Sequence, residues 1–158
     1  MRVGFLIMCA IVIMGVSCKK DSSGNIIVTK MSATIDGKAW DSAIRTTVLQ
    51  ATTNTFIITG TSLTGEILEV TTYGTTQGTY ELSVGSVSAK CLGTYKASIS
   101  SGTSDIYIST SGTVVLTKVD KTAKKISGTF VFSLYCLNSK LTKTVTNGVF
   151  NDLSYTEQ

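Results

Sequence analysis

The chain contains neither proline nor histidine, has a single tryptophan, and only 15% of its 158 residues are charged. Each shortage excludes something. Without histidine, Ser-His-Asp and Cys-His nucleophile systems are unavailable in their usual form. A zinc site would have to be assembled from cysteines and scattered carboxylates, and their spacing matches no zinc motif. Without proline, whose average share is about 5%, turns must be made by Gly, Asn, Asp and Ser, and slow prolyl isomerisation cannot limit folding. No GxxxxGK[ST] or GxGxxG stretch is present to cradle a phosphate. The net charge of +4 is spread along the chain, which gives no basic patch of the kind that grips nucleic acid. Nucleic acid is therefore discarded as a partner. Beyond the N-terminus, no apolar run reaches the roughly 20 residues that a membrane-spanning helix needs.

What is present begins with MRVGFLIMCAIVIMGVSCKKDSSGN. Arg2 supplies a positive start, and Val3 to Val16 is an apolar run too short to span a bilayer but suited to a secretory signal. The run stops at small Ser17, followed by Cys18 and two lysines. The stretch GVSC resembles a bacterial lipobox, although Gly15 stands where leucine is usual. Cys9 is a poorer candidate, since it follows bulky Met8 and leaves almost no apolar core before it. The reading is a signal peptide over residues 1–17, cleavage between Ser17 and Cys18, and lipidation of Cys18. An unmodified Cys18 thiol is the alternative. Acyl chains contribute about 0.8 kcal/mol per buried methylene, one chain holds marginally, and two or more hold stably. The membrane is thus an expected partner through Cys18. Lys19 occupies the place where aspartate marks enterobacterial lipoproteins for the inner membrane, so the expected address is the outer membrane, facing periplasm or cell surface. Residues 18–30, CKKDSSGNIIVTK, read as a short flexible tether.

From residue 31 to 156 the pattern is that of strands in one all-β domain. Asp36-Gly37 in SATIDGKAW is a two-residue hairpin signal. Phe56 with Ile58, and Leu68 with Val70, share faces by period-2 alternation. Tyr80, Leu82 and Val84 share a phase opposite Thr79, Glu81 and Ser83. Cys91, Tyr95, Ala97 and Ile99 fall together, as do Phe130, Phe132, Leu134 and Cys136. DIYISTSGTVVLTKV reads as one long strand or two with a bulge at Gly112, and the last run suggests a bulge near Gly148. Helical periodicity is absent after the leader. Short strands separated by turn residues imply an antiparallel β-sandwich or a flattened β-barrel of about 8–9 strands.

Chemistry-bearing residues are few. With Cys9 lost and Cys18 acylated, Cys91 and Cys136 remain on inward phases, where they can pair as a disulfide or stay as buried thiols. Glu66 and Glu69 are three apart and so face opposite sides of a strand. Asp36 and Asp41 flank a turn without the alternating oxygen ligands of a calcium loop. Strand tyrosines and Trp40 mostly suit a core, but Tyr73 and Tyr135 fall out of phase with their inward neighbours and are the candidates for a ligand platform. Lys118, Lys121, Lys124 and Lys125 mark a basic hairpin tip. No catalytic residue, metal site or cofactor site follows from these patterns.

SATIDGKAW, GTYEL, GTVVLTKVDKTAKKISGTFVFSL and VTNGVFNDLSY together resemble a family of small secreted lipoproteins of Bacteroidota, domain of unknown function 6252. The resemblance covers nearly the whole domain and is most specific over Lys118–Phe132. It implies an all-β domain on an outer-membrane lipid anchor, with no established activity, substrate or catalytic residue to carry over. The expected function is a non-enzymatic binding or structural accessory for a glycan, protein or envelope component. A calycin-like carrier of a small apolar ligand is the alternative, and a carboxylate-based hydrolase the remote one.

Overall fold

A computed structural model describes residues 30–82, 89–98 and 105–158. Cys18, Ser17 and the leader lie outside these, as do Ser83, Val84 and Ile99. The elements are β1 (Met31–Ile35), β2 (Lys38–Asp41), β3 (Ile44–Gln50), β4 (Thr55–Thr61), β5 (Ile67–Tyr73), β6 (Gly78–Leu82), β7 (Cys91–Lys96), β8 (Ile106–Asp120), β9 (Lys125–Tyr135), β10 (Thr142–Ser154) and β11 (Thr156–Glu157). All belong to one curled sheet in the order β11-β3-β4-β5-β7-β8-β9-β10-β1-β2, with β6 also on β8. Every pairing is antiparallel except that of β11 with β3.

The all-β antiparallel fold, expected as a sandwich or flattened barrel of about 8–9 strands, is realised as an 11-stranded half-barrel in which short strands join into longer staves. β2 and β3 form one bent strand. The Ser42 N–H still donates to Met31 O of β1 at 3.0 Å, whereas the next N–H, Ala43, donates to Thr61 O at the end of β4 at 2.8 Å. The Ser42 hydroxyl and Arg45 guanidinium hold this corner by donating to Met31 O and Ser42 O. β2, at one end of the hydrogen-bonded order, is therefore followed in the chain by β3, next to the other end, and the half-barrel curls back on itself. β6 and β7 likewise lie end to end along β8, opposite residues 112–116 and 106–108. The tail closes the base, where the Gln158 N–H donates to Leu49 O.

Turn chemistry matches the residues available. Asp36 and Gly37 both take positive φ, at 47° and 78°, as a two-residue hairpin requires. Asn147, at φ 51°, marks the register shift between Val145 and Gly148, where a bulge was expected. Gly112 differs. The shifts in β8 fall on either side of it, at Ser109/Ser111 and Leu116/Lys118. Its missing side chain instead makes room for Phe132, since a Cβ there would lie 2.3 Å from that ring. Ala97 is exposed rather than inward because β7 ends at Lys96.

The interior is filled. Phe56, Ile58, Leu68, Val70, Phe130 and Phe150 are among the fully enclosed side chains. Phe130 stacks on Phe150 at 6.2 Å and meets Phe132 at 6.0 Å. Each such side chain contributes about 1.5–3 kcal/mol by leaving water. Cys91 and Cys136 stand as two buried thiols, not joined to each other. The axial offset explains why. The Cys91 thiol lies against Gly112 O, Gly112 pairs with Phe132, and Cys136 is four residues beyond Phe132, just past the end of β9. That is about 13 Å of strand, and a disulfide needs Cα atoms within about 7 Å.

Candidate functional site

The antiparallel meander sorts its turns onto two ends. Turns 36–37, 62–66 and 136–141 form one rim, here termed the mouth, while turns 51–54, 74–77 and 121–124 form the base beside Lys30 and the C-terminus. Polar chemistry collects at the mouth. Lys143 is two residues from fully buried Val145 on β10 and so shares its inward phase. Its ammonium bonds Asp36 Oδ2 at 2.8 Å and lies over the rings of Tyr107 and Tyr95, at 5.2 and 5.7 Å. The Thr144 N–H donates to Asp36 Oδ1 at 2.8 Å, tying the β1–β2 turn to β10. Tyr95, pointing inward from β7, donates its hydroxyl to Glu66 Oε1 at 2.7 Å. Ser62 and Thr64 donate to the other Glu66 oxygen, so the β4–β5 turn fixes that carboxylate from behind.

Trp40 completes the wall. Gly60 lets the indole in, since a Cβ there would stand 2.6 Å from Trp40 Cη2 and 2.8 Å from Met31 Sδ. The ring is only 3% exposed, and its N–H has no hydrogen-bond partner among the described residues. Trp40, Asp36, Lys38, Glu66, Tyr95 and Lys143 border a cavity of about 140 Å³. Small-molecule pockets usually run to about 300–1,000 Å³. This cavity is below the size that an apolar ligand of a calycin-like carrier would need.

Two carboxylates do converge here, but both are held ionised. The Lys143 hydrogen bond lowers the Asp36 pKa, and the Thr144 N–H adds to it. Burial pushes Glu66 up, yet hydrogen bonds from Tyr95, Thr64 and Ser62 outweigh it and leave its pKa lowered. Burial, then the Glu66 carboxylate, push the Tyr95 phenol up. A glycosidase needs one carboxyl with a raised pKa as general acid, and neither of these is so tuned. Among the described residues no three His, Cys, Asp or Glu side chains gather where they could hold a metal ion.

The lowered values also predict acid behaviour. Groups depressed below 3.8 and 4.5 when folded contribute stability above the unfolded values, and that stability is lost as pH falls through the folded ones. The double change Asp36→Asn with Glu66→Gln is therefore expected to flatten the acid limb of the urea midpoint below about pH 4.5. An unchanged limb would show that the mouth bonds contribute nothing to stability.

The tyrosines singled out for a platform are not brought together. Tyr135 is level with Ile108, Thr94 and Glu69 across the sheet, while Tyr73 is four residues beyond Glu69. With β7 and β8 between their strands, they are separated by about 14 Å across and 13 Å along the sheet. Tyr135 does line an open groove of about 700 Å³ with Ile106, Ile108, Thr110, Leu137 and Asn138. Glu66 and Glu69 diverge as the spacing requires, with Glu69 accepting from Thr59 on the next strand. Two of the four lysines of the basic tip are paired, Lys118 with Asp152 and Lys124 with Glu157.

A family profile described as Domain of unknown function (DUF6252) matches residues 20–154. No curated protein and no solved structure matches the chain. The chain belongs to the DUF6252 family.

Proposed function

We propose that this family member is a non-enzymatic accessory domain of the bacterial envelope. Acyl chains on Cys18 hold it at the outer membrane, and its mouth end meets a glycan, protein or other envelope component. One observation carries the reading: exposed apolar side chains gather at the mouth, with Ile108, Leu137 and Leu141 at 46%, 80% and 57% exposure beside the Tyr135 groove. Apolar patches on otherwise polar shells mark interaction sites. Lys30, where the tether joins the domain, lies at the base, which leaves the mouth end clear of the attachment point. The ionised state of Asp36 and Glu66 supports binding over acid catalysis.

The test exposes the full chain, purified in detergent, to isolated outer-membrane polysaccharide, peptidoglycan and outer-membrane proteins. At least one fraction is expected to be retained chemically unchanged, and retention is expected to weaken when Leu137 and Leu141 both become glutamate. Retention of none, or chemical turnover of the retained component, would contradict the reading.

A further inference from the structure

We propose that the mouth rim seats reversibly on a lipid bilayer, the same one that holds the acyl chains on Cys18. This goes beyond the accessory reading, from which it takes only the anchor. Five of the seven exposed large apolar side chains among the described residues lie at the mouth end, on two flanks. On one flank, Leu63 is 94% exposed in the β4–β5 turn, and Ile44 is 66% exposed on β3, opposite Thr61 at the end of β4. On the other, Leu137 and Leu141 project from the β9–β10 turn beside Ile108. Both turns are held by backbone bonds. The Ser62 N–H donates to Glu66 O at 2.9 Å and the Gly65 N–H to Ser62 O at 3.1 Å, while Cys136 N–H donates to Leu141 O and Lys140 N–H to Cys136 O, each at 2.9 Å. Closed turns thus hold the leucines out into solvent, where leaving water requires an apolar phase from outside the domain.

Spacing selects that phase. Between the two turns the sheet runs through β5, β7, β8 and β9, so they stand about four strand spacings, or roughly 19 Å, apart around the curl. A globular partner gripping one flank leaves the other in water. A second copy set mouth to mouth covers both, but an end face about 20 Å across offers on the order of 300 Å² a side, and two such faces fall short of the roughly 1,200 Å² that a stable pair needs. A bilayer surface is planar and soft, and covers both flanks at once.

Reach permits it. Twelve residues separate Cys18 from Lys30, and such a length spans at most about 40 Å. β9, with 11 residues, is about 37 Å long and covers less than that along the axis of a barrel with tilted strands. Anchor and mouth can therefore lie in one bilayer although Lys30 is at the base. The contact is weak by design of its size. Four leucine and isoleucine side chains carry about as many carbons as one acyl chain, which holds a protein only marginally and reversibly. The rim thus orients an anchored domain but does not keep an unanchored one on the membrane.

The test places a reporter indole on each flank of the full acylated protein. Leu63→Trp, Leu137→Trp and, at the base, Tyr73→Trp are reconstituted separately into vesicles of phosphatidylethanolamine and phosphatidylglycerol, with or without bromine on the lipid acyl chains. Buried Trp40 gives the same background in all three. Emission from Leu63→Trp and from Leu137→Trp is expected to be quenched several-fold more than that from Tyr73→Trp. Quenching of Leu63→Trp is expected to be lost when Leu137 and Leu141 also become glutamate. Circular dichroism and the urea midpoint establish that each variant is folded. The inference is overturned if either rim position is quenched no more than the base, or if quenching survives the glutamates. Protein that does not float with the vesicles at all overturns it together with the anchor. If quenching fails while an envelope fraction is still retained, the accessory reading stands without the bilayer contact. If quenching is found and no fraction is retained, the bilayer contact stands and the accessory reading falls.

Discussion

Phe132→Ala is expected to destabilise the domain by about 3–5 kcal/mol, the range for emptying a buried aromatic site. Phe132 is 3% exposed and fills the space left by two glycines on neighbouring staves. A Cβ on Gly93 would lie 2.6 Å from its ring. The backbone beneath is held by ladders on both sides of β9, so the cavity has little freedom to collapse. The partner substitution tests the mechanism. Gly93→Ala alone overpacks the core and is expected to cost about 1–3 kcal/mol. In the Phe132→Ala background it should cost far less, because the obstacle is gone and the added methyl fills part of the hole. Urea denaturation of the four proteins measures the coupling. Additive effects would show that the ring is not wedged between these staves.

The core was legible because it is local. The alternation of Phe130, Phe132, Leu134 and Cys136 fixes an inward face by period 2 alone, and all four are buried. The Asp36-Gly37 hairpin was equally readable, since few residues tolerate positive φ. Stave construction was not. Whether β2 continues into β3 depends on Thr61 accepting from Ala43, and no local pattern encodes that partner. The parallel addition of β11 to β3 joins residues more than a hundred apart for the same reason. Ala97 misled because phase was extended past the point where β7 ends.

The mouth is assembled from four separate segments, whereas local spacing compares Glu66 only with Glu69, which it sets on the opposite face, and shows Asp36 only as a turn residue. One signal was present. Lys143 occupies the inward phase set by Val145 on β10, and a charged side chain on an apolar face needs partners. Following that residue leads to Asp36, Tyr95 and Tyr107. Tyr73 and Tyr135 show the converse, since falling out of phase marks an outward residue but says nothing about which outward residues meet.

The second large effect concerns the anchor. Cys18→Ser removes the thiol that would carry the acyl chains, and with about 0.8 kcal/mol per buried methylene the loss amounts to detachment. The variant is expected to shift from the membrane fraction to the soluble fraction almost completely, with the fold of the described residues unchanged. The lysines at 19 and 20 supply only about 1 kcal/mol each near an anionic surface, too little to hold the chain alone. A variant that stays on the membrane would place the attachment elsewhere, in the leader or at the mouth.

The proposed envelope residence is tested most directly by mass spectrometry of the N-terminal peptide from natively expressed protein, after partition between detergent and aqueous phases. The account predicts recovery from the detergent phase and a peptide that begins at Cys18 and carries acyl mass. An intact Met1, or a bare Cys18 on protein found in the aqueous phase, would contradict it.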